Sequence, residues 1–216
     1  MATTRRRWLA HCSAGLAIAA AAAAMPAFAA ATRTVLVVGD SLSAEYGLAR
    51  GTGWVALLEQ RISREKIAAT IVNASISGDT TAGGLARLPA LLREKKPDVV
   101  VIELGGNDAL RGLPLDATRA NLVAMTRLAK AAGAKIVIVG MQLPPNYGRA
   151  YGDRFASLFA DIAKSEGAAL VPFLLKGVAD VANAESMFQP DRIHPLASAH
   201  PTILANVWPI LAPLLK

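Results

Sequence analysis

Five short runs of apolar, mostly β-branched residues recur along the chain, at 34–38, 71–74, 98–104, 135–140 and 168–172. Each is followed by a loop and then by a stretch with helical spacing. Continuous apolar runs of this length, bounded by Gly, Pro or charge, suit strands buried on both faces of a parallel sheet. The helical stretches cover 54–62, 82–94, 116–132, 152–166 and about 196–215, the last started or kinked by Pro201 and Pro209. There is no internal repeat and no low-complexity linker. The alternation predicts one α/β domain, a doubly wound five-stranded parallel sheet with helices on both faces. In such a sheet ligands bind beyond the carboxyl ends of the strands, so the segments that follow the strands carry the functional information.

The first thirty residues do not share this pattern. Arg5-Arg6-Arg7 precedes an uncharged, alanine-dominated run from Trp8 to Thr32, with small residues at Ala27 and Ala29 just after Pro26. A basic start, an apolar middle and an A-x-A site predict a cleavable signal peptide over 1–29, with the domain at 30–216. The product would be periplasmic or secreted, without stable membrane insertion. Removing the signal takes away the single cysteine, Cys12, and leaves 20 basic against 16 acidic residues. The fold must then rest on its core rather than on disulfides. The mild net charge and the absence of a Lys/Arg stripe with interleaved aromatics argue against nucleic-acid binding. Three histidines and one cysteine in the whole chain leave little for a metal centre, and neither a metal nor a cofactor is expected.

Five polar or Gly-rich segments follow the predicted strands. They are Gly39-Asp40-Ser41-Leu42-Ser43, Ser75-Ile76-Ser77-Gly78-Asp79-Thr80, Gly105-Gly106-Asn107-Asp108, Met141-Gln142-Leu143-Pro144-Pro145-Asn146 and Asp191-Arg192-Ile193-His194-Pro195. Singly, each reads equally well as a turn or a helix cap. Glu103, inside a strand, reads as a hydrogen-bonded structural group. Histidine is the side chain that titrates near neutral pH, and once His11 leaves with the signal only His194 and His200 remain as bases. His194 has Asp191 three residues earlier; His200 lies within a helical pattern with no nearby acid. The elbow G-x-S-x-G of α/β-hydrolases is absent, and so is a dinucleotide G-x-G-x-x-G loop.

Taken in order, four of these segments resemble the SGNH, or GDSL, hydrolase family, and within it the periplasmic arylesterases and the thioesterase-I/lysophospholipase group. Gly39-Asp40-Ser41-Leu42-Ser43-Ala44, Ser77-Gly78-Asp79-Thr80-Thr81, Gly105-Gly106-Asn107-Asp108 and Asp191-Arg192-Ile193-His194-Pro195 span nearly all of the expected domain. Ala205-Asn206-Val207-Trp208-Pro209 adds to the likeness. The resemblance implies that Ser41 is the nucleophile, His194 the base and Asp191 its orienting acid. It implies an oxyanion hole made by the backbone N–H groups of Ser41 and Gly78 and the side-chain amide of Asn107. Glu45 departs from the pattern, standing where many members have glycine, and bears on the pocket wall.

The expected activity is hydrolysis of aryl or acyl esters, with thioesters and lysophospholipids as further candidates, through an acyl-enzyme. The apolar loop residues Leu110, Leu113, Leu143, Pro144 and Pro145 are expected to line a pocket for an apolar acyl or aryl group. Two other readings are a carbohydrate O-acetyl esterase on the same fold, with a more open and polar site, and a non-catalytic periplasmic ligand-binding protein. The second would not need Ser41, Gly78, Asn107, Asp191 and His194 together.

Overall fold

Buried β-branched strands form the centre of the computed structural model, which describes residues 32–216. The signal segment expected over 1–29 lies outside the described residues. β1 (Arg33–Gly39), β3 (Val99–Glu103) and β4 (Lys135–Val139) are inaccessible along nearly their whole length. β2 (Ala69–Asn73) and β5 (Ala169–Val171) are half-exposed and close the two edges. All pairings are parallel, in the order β2-β1-β3-β4-β5. The enclosed centre holds the β-branched stretches 99–102 and 136–139, while at one edge β2 leaves Thr70 and Asn73 exposed.

Helices α1 (Trp54–Arg64) and α6 (His200–Leu211) pack together on one face. The other face carries α2 (Thr81–Lys95), α4 (Leu115–Ala131) and α5 (Arg149–Glu166). The five strands, the helices on both faces and the parallel order agree with the fold class expected from the sequence. Trp54, Phe155 and Phe159 are among the largest fully buried side chains, and the two phenylalanines meet edge to face at 5.1 Å.

Two local differences from the sequence reading matter for the site. The segment after β3 is not only a turn but a short helix, α3 (Gly106–Leu110). The expected C-terminal helix is divided: a 3-10 turn, Ala197–Ala199, precedes α6, and another, Ala212–Leu215, follows it. His200 is therefore the first residue of α6 rather than an interior one, and Pro201 takes the first-turn position where its missing N–H costs nothing.

The strand order reverses between β1 and β3, because the chain runs from β1 to β2 on one side and then crosses to β3 on the other. In open α/β sheets ligands bind at such a switch point. Ser41 follows β1 by two residues and Asn107 follows β3 by four, so both stand at this switch point.

Candidate active site

Ser41, Asp191 and His194 are brought into one hydrogen-bonded line. His194 Nε2 lies 2.8 Å from Ser41 Oγ, and its Nδ1 lies 2.7 Å from Asp191 Oδ2. The second carboxylate oxygen, Oδ1, accepts the backbone N–H groups of Ile193 at 2.9 Å and His194 at 3.0 Å. Arg192 takes a left-handed backbone, φ +59°, which folds the chain tightly enough for the aspartate to reach its own neighbours. Burial acts to raise the Asp191 carboxyl, but the N–H groups of His194 and Ile193 and the imidazole outweigh it and bring it to about 2. Asp191 is thus ionised across the neutral range. It can hold the proton on Nδ1 and leave Nε2 as the acceptor facing Ser41.

The loop carrying His194 is tied to the loop carrying Ser41. The Gln189 side-chain amide donates to Tyr46 O at 3.0 Å and Pro195 O at 3.2 Å, while the Gln189 N–H donates to His194 O at 2.8 Å. The Tyr46 ring lies over the imidazole, centroids 4.3 Å apart, and is half-exposed. Neither Gln189 nor Tyr46 stood out in the sequence; both lie close to a motif but outside the spacing that a motif specifies.

Ser41, Gly78 and Asn107 lie in segments tied together at this rim: Asn107 bonds Asp40, the neighbour of Ser41, and the Ile76 N–H in the loop of Gly78 donates to Gly39 O at 3.0 Å. Among the described residues no acceptor takes the backbone N–H of Ser41 or of Gly78. Gly78 has φ +78°, a conformation in which a side chain would be strained. Its carbonyl accepts Arg111 Nη2 at 2.7 Å, and Arg87 braces the same loop through Asp79 Oδ2 at 2.8 Å and the Ala74 carbonyl. Asn107 Nδ2 donates one hydrogen to Asp40 Oδ2 at 2.9 Å. An amide nitrogen has two, and among the described residues no acceptor takes the other. Donors of this kind, where they meet at one point, can stabilise an oxyanion.

Asp40 does more than cap a helix. Its Oδ1 accepts Leu42 N at 3.0 Å and its Oδ2 accepts Asn107. Burial raises this carboxyl to about 6, against the pull of those two donors. Asp108 has a different task. It is buried and accepts the N–H and the hydroxyl of Thr81, which fastens α3 to the start of α2.

Glu45 turns its carboxylate back onto its own loop. Its backbone is left-handed, φ +59°, which costs about 1–2 kcal/mol for a non-glycine residue. Its carboxylate accepts Gly51 N at 2.9 Å and Gly53 N at 2.8 Å, bonds that offset the strain and close the loop leading into α1. Of the expected pocket residues, Leu110 is half-buried at the end of α3, Leu113 and Pro144 are exposed, and Leu143 packs against the core. Pro145 opens a 3-10 turn, Pro145–Tyr147.

His200 lies apart from this line. It is 2% exposed, and its Nδ1 accepts the N–H of Trp54 at 2.9 Å. It thereby caps α1, whose preceding residue, Gly53, has no side chain to do so. The bond requires a neutral imidazole. Burial lowers the His200 pKa, opposed by the charge of Glu45. The unfolded chain therefore binds this proton more readily than the folded one. Stability from His200 is complete above the unfolded value of about 6.5 and is lost as pH falls from there toward the lower folded value. His200→Gln keeps an acceptor without the titration. Urea unfolding at pH 7.5 and 5.5 should show the wild type losing more stability on acidification than His200→Gln. Equal losses would mean that His200 is not the group that charges.

Among the described residues no group of three or more His, Cys, Asp or Glu could hold a metal ion, and no helix is long and apolar enough to cross a membrane. The sequence matches the GDSL-like lipase/acylhydrolase family model over residues 37–200. It is 55% identical over 186 residues to esterase TesA of Pseudomonas aeruginosa, covering 86% of this chain and 91% of that one. It is 41% identical over 188 residues to thioesterase 1/protease 1/lysophospholipase L1 of Escherichia coli K12, covering 87% and 88%. A crystal structure of TesA matches with a TM-score of 0.80 at 54% identity, over 84% of this chain and 99% of that one.

Proposed function

The chain belongs to the GDSL-like lipase/acylhydrolase family, and from that premise we propose that it is a serine esterase working through an acyl-enzyme with Ser41, His194 and Asp191 as its triad. The observation that carries this reading is the continuous line from Ser41 Oγ to His194 at 2.8 Å and on to Asp191 at 2.7 Å.

The steps follow from the geometry. His194 Nε2 takes the Ser41 proton as Oγ bonds to the substrate carbonyl carbon. The carbonyl oxygen becomes an oxyanion and sits among the N–H groups of Ser41 and Gly78 and the free hydrogen of Asn107. The tetrahedral intermediate then collapses. The bond to the leaving alcohol breaks, and the alcohol departs with the proton from His194. Water attacks the acyl-enzyme in the same way, giving its proton to His194, and Ser41 is regenerated with release of the acid. Asp191, ionised throughout, stabilises the imidazolium that forms in each half.

The leaving group must accept its proton from His194 Nε2, so it departs past the ring on which Tyr46 lies. The half-exposed tyrosine and exposed Ile193 beside His194 offer apolar surface to an aryl or other apolar group. Leu110 at the end of α3 and Leu113, Leu143 and Pro144 in the loops that follow β3 and β4 would meet the acyl chain. Thioesters and lysophospholipids present the same reacting carbonyl, and the relatives named for such substrates support including them. The arginine-led, alanine-rich segment over 1–29 supports export to the periplasm or beyond.

An organophosphonate should label the protein at one site, and peptide mass spectrometry should place the adduct on Ser41. An adduct on Ser43 or Ser75, or an active enzyme that takes up none, would overturn the assignment. With p-nitrophenyl esters, kcat/KM should rise from acetate to at least butyrate, because each buried CH₂ contributes up to about 0.8 kcal/mol, or roughly fourfold. A clear preference for acetate would replace the apolar-acyl reading with a deacetylase.

A further inference from the structure

Glu103 ends β3 directly beneath the loop of Ser41, is 1% exposed, and takes no part in the hydrolytic steps. Its Oε2 accepts the Ser43 hydroxyl at 2.7 Å and the backbone N–H of Asp40 at 3.3 Å. Ser43 Oγ accepts in turn from the Trp54 indole N–H at 3.2 Å. The direction of every bond in this chain is therefore fixed, running from Trp54 through Ser43 into Glu103. Gly39 stands opposite Glu103 in the register of β1 and β3. A Cβ there would lie 2.8 Å from both Glu103 Oε2 and Ser43 Oγ. The first glycine of Gly-Asp-Ser-Leu thus leaves the space through which a carboxyl from the neighbouring strand reaches under the loop.

We propose, resting on the esterase reading above, that Glu103 is a positioning residue for the nucleophile: its neutral carboxyl fixes the main chain at Asp40 and the side chain of Ser43, and so sets Ser41 against the oxyanion donors. Its burial beside a second buried carboxyl favours the neutral form. Asp40 is an acceptor at both oxygens, for Leu42 and for Asn107, which is the pattern of an ionised carboxylate. Two adjoining buried carboxyls do not both ionise, and Glu103 is the more deeply enclosed of the two. Its recorded partners are a hydroxyl and an amide rather than a cation. Burial, with the charge of Asp40 added, holds its pKa well above the usual carboxylate range. With the proton on Glu103, Asp40 stays ionised to hold the Asn107 amide while Glu103 holds the loop from below.

The test compares Glu103→Gln, Glu103→Met and Ser43→Ala with the wild type, using p-nitrophenyl butyrate and active-site titration by an organophosphonate. Glutamine mimics the neutral acid, accepting the same two donors, and should keep kcat per titrated site within about threefold of wild type. Methionine fills the space without accepting either donor and should lower kcat per titrated site about tenfold or more, with KM little changed, since small displacements of a nucleophile are costly. Ser43→Ala removes one of the two anchors and should fall between them, and it serves as the test if Glu103→Met does not fold. A merely structural glutamate would reduce the number of titratable sites and leave kcat per site unchanged; that result would overturn the proposal. A glutamine variant as impaired as methionine would overturn it too. Failure of the wild type to react with the organophosphonate would instead sink the esterase reading itself.

Discussion

Changing His194 to alanine is expected to lower kcat by about 10⁴-fold or more, while His200→Gln leaves most of the activity in place. The two histidines are six residues apart and have opposite surroundings. The His194 ring bridges Asp191 and Ser41, with both nitrogens engaged in the line along which the proton would move. The His200 ring is enclosed, binds the N–H of Trp54 with Nδ1, and among the described residues has no hydrogen-bond partner at Nε2. A base without access to the substrate cannot take the serine proton. Without His194, Ser41 keeps a proton it gives up only to water, and the leaving alcohol loses its proton donor as well. The oxyanion donors remain, so a residual rate above the uncatalysed one should persist. Steady-state kinetics on p-nitrophenyl butyrate, with each variant's fold checked by circular dichroism, decides the matter. Comparable losses in the two variants would remove His194 from its proposed role.

The strands were legible because their chemistry is local. The run 98–104 is buried from Val99 to Leu104, and nothing but the centre of a parallel sheet accommodates such a run at that length. The site was legible for a related reason: Ser41, Gly78, Asn107 and His194 each stand just beyond the end of a strand or in a loop on the same rim, where the fold class directs attention. What escaped the sequence depends on partners far away in the chain. Glu103 looked structural because its bonds to Ser43 and Asp40 span 60 and 63 residues. His200 looked like an interior helix position without a partner, and its partner is the N–H of Trp54, 146 residues away. Glu45 pointed to the pocket because it breaks a motif. Its carboxylate turns to Gly51 and Gly53, a staple on a left-handed backbone of the kind that the glycine of other members at this position would favour. The short helix α3 was hidden behind two glycines, which read as a turn. Its start is fixed from outside, by Asp40 accepting from Asn107 and by Thr81 donating to Asp108.

The amide of Asn107 should matter almost entirely in the transition state. Asn107→Ala is expected to lower kcat by roughly 10²–10³, or about 2.7–4 kcal/mol of barrier, with KM changed little. The ground-state ester carries only a weakly charged carbonyl oxygen, whereas the tetrahedral intermediate carries a full negative charge at that place. A preformed donor therefore contributes most at the crest. Asp40 makes the amide preformed: its Oδ2 takes one of the two hydrogens at 2.9 Å and leaves the other aimed by geometry rather than free to rotate. The alanine variant also strips the buried Asp40 carboxylate of one of its two donors, so its pKa should climb further and the protein should lose about 1–3 kcal/mol of stability at neutral pH. That loss separates from the kinetic effect, because kcat per organophosphonate-titrated site counts folded enzyme alone. The expected outcome is a full complement of titratable sites, each slower by two to three orders of magnitude and each binding substrate nearly as well as before. A variant with wild-type kcat per site would mean that Asn107 serves only to hold Asp40, and that the N–H groups of Ser41 and Gly78 carry the oxyanion by themselves.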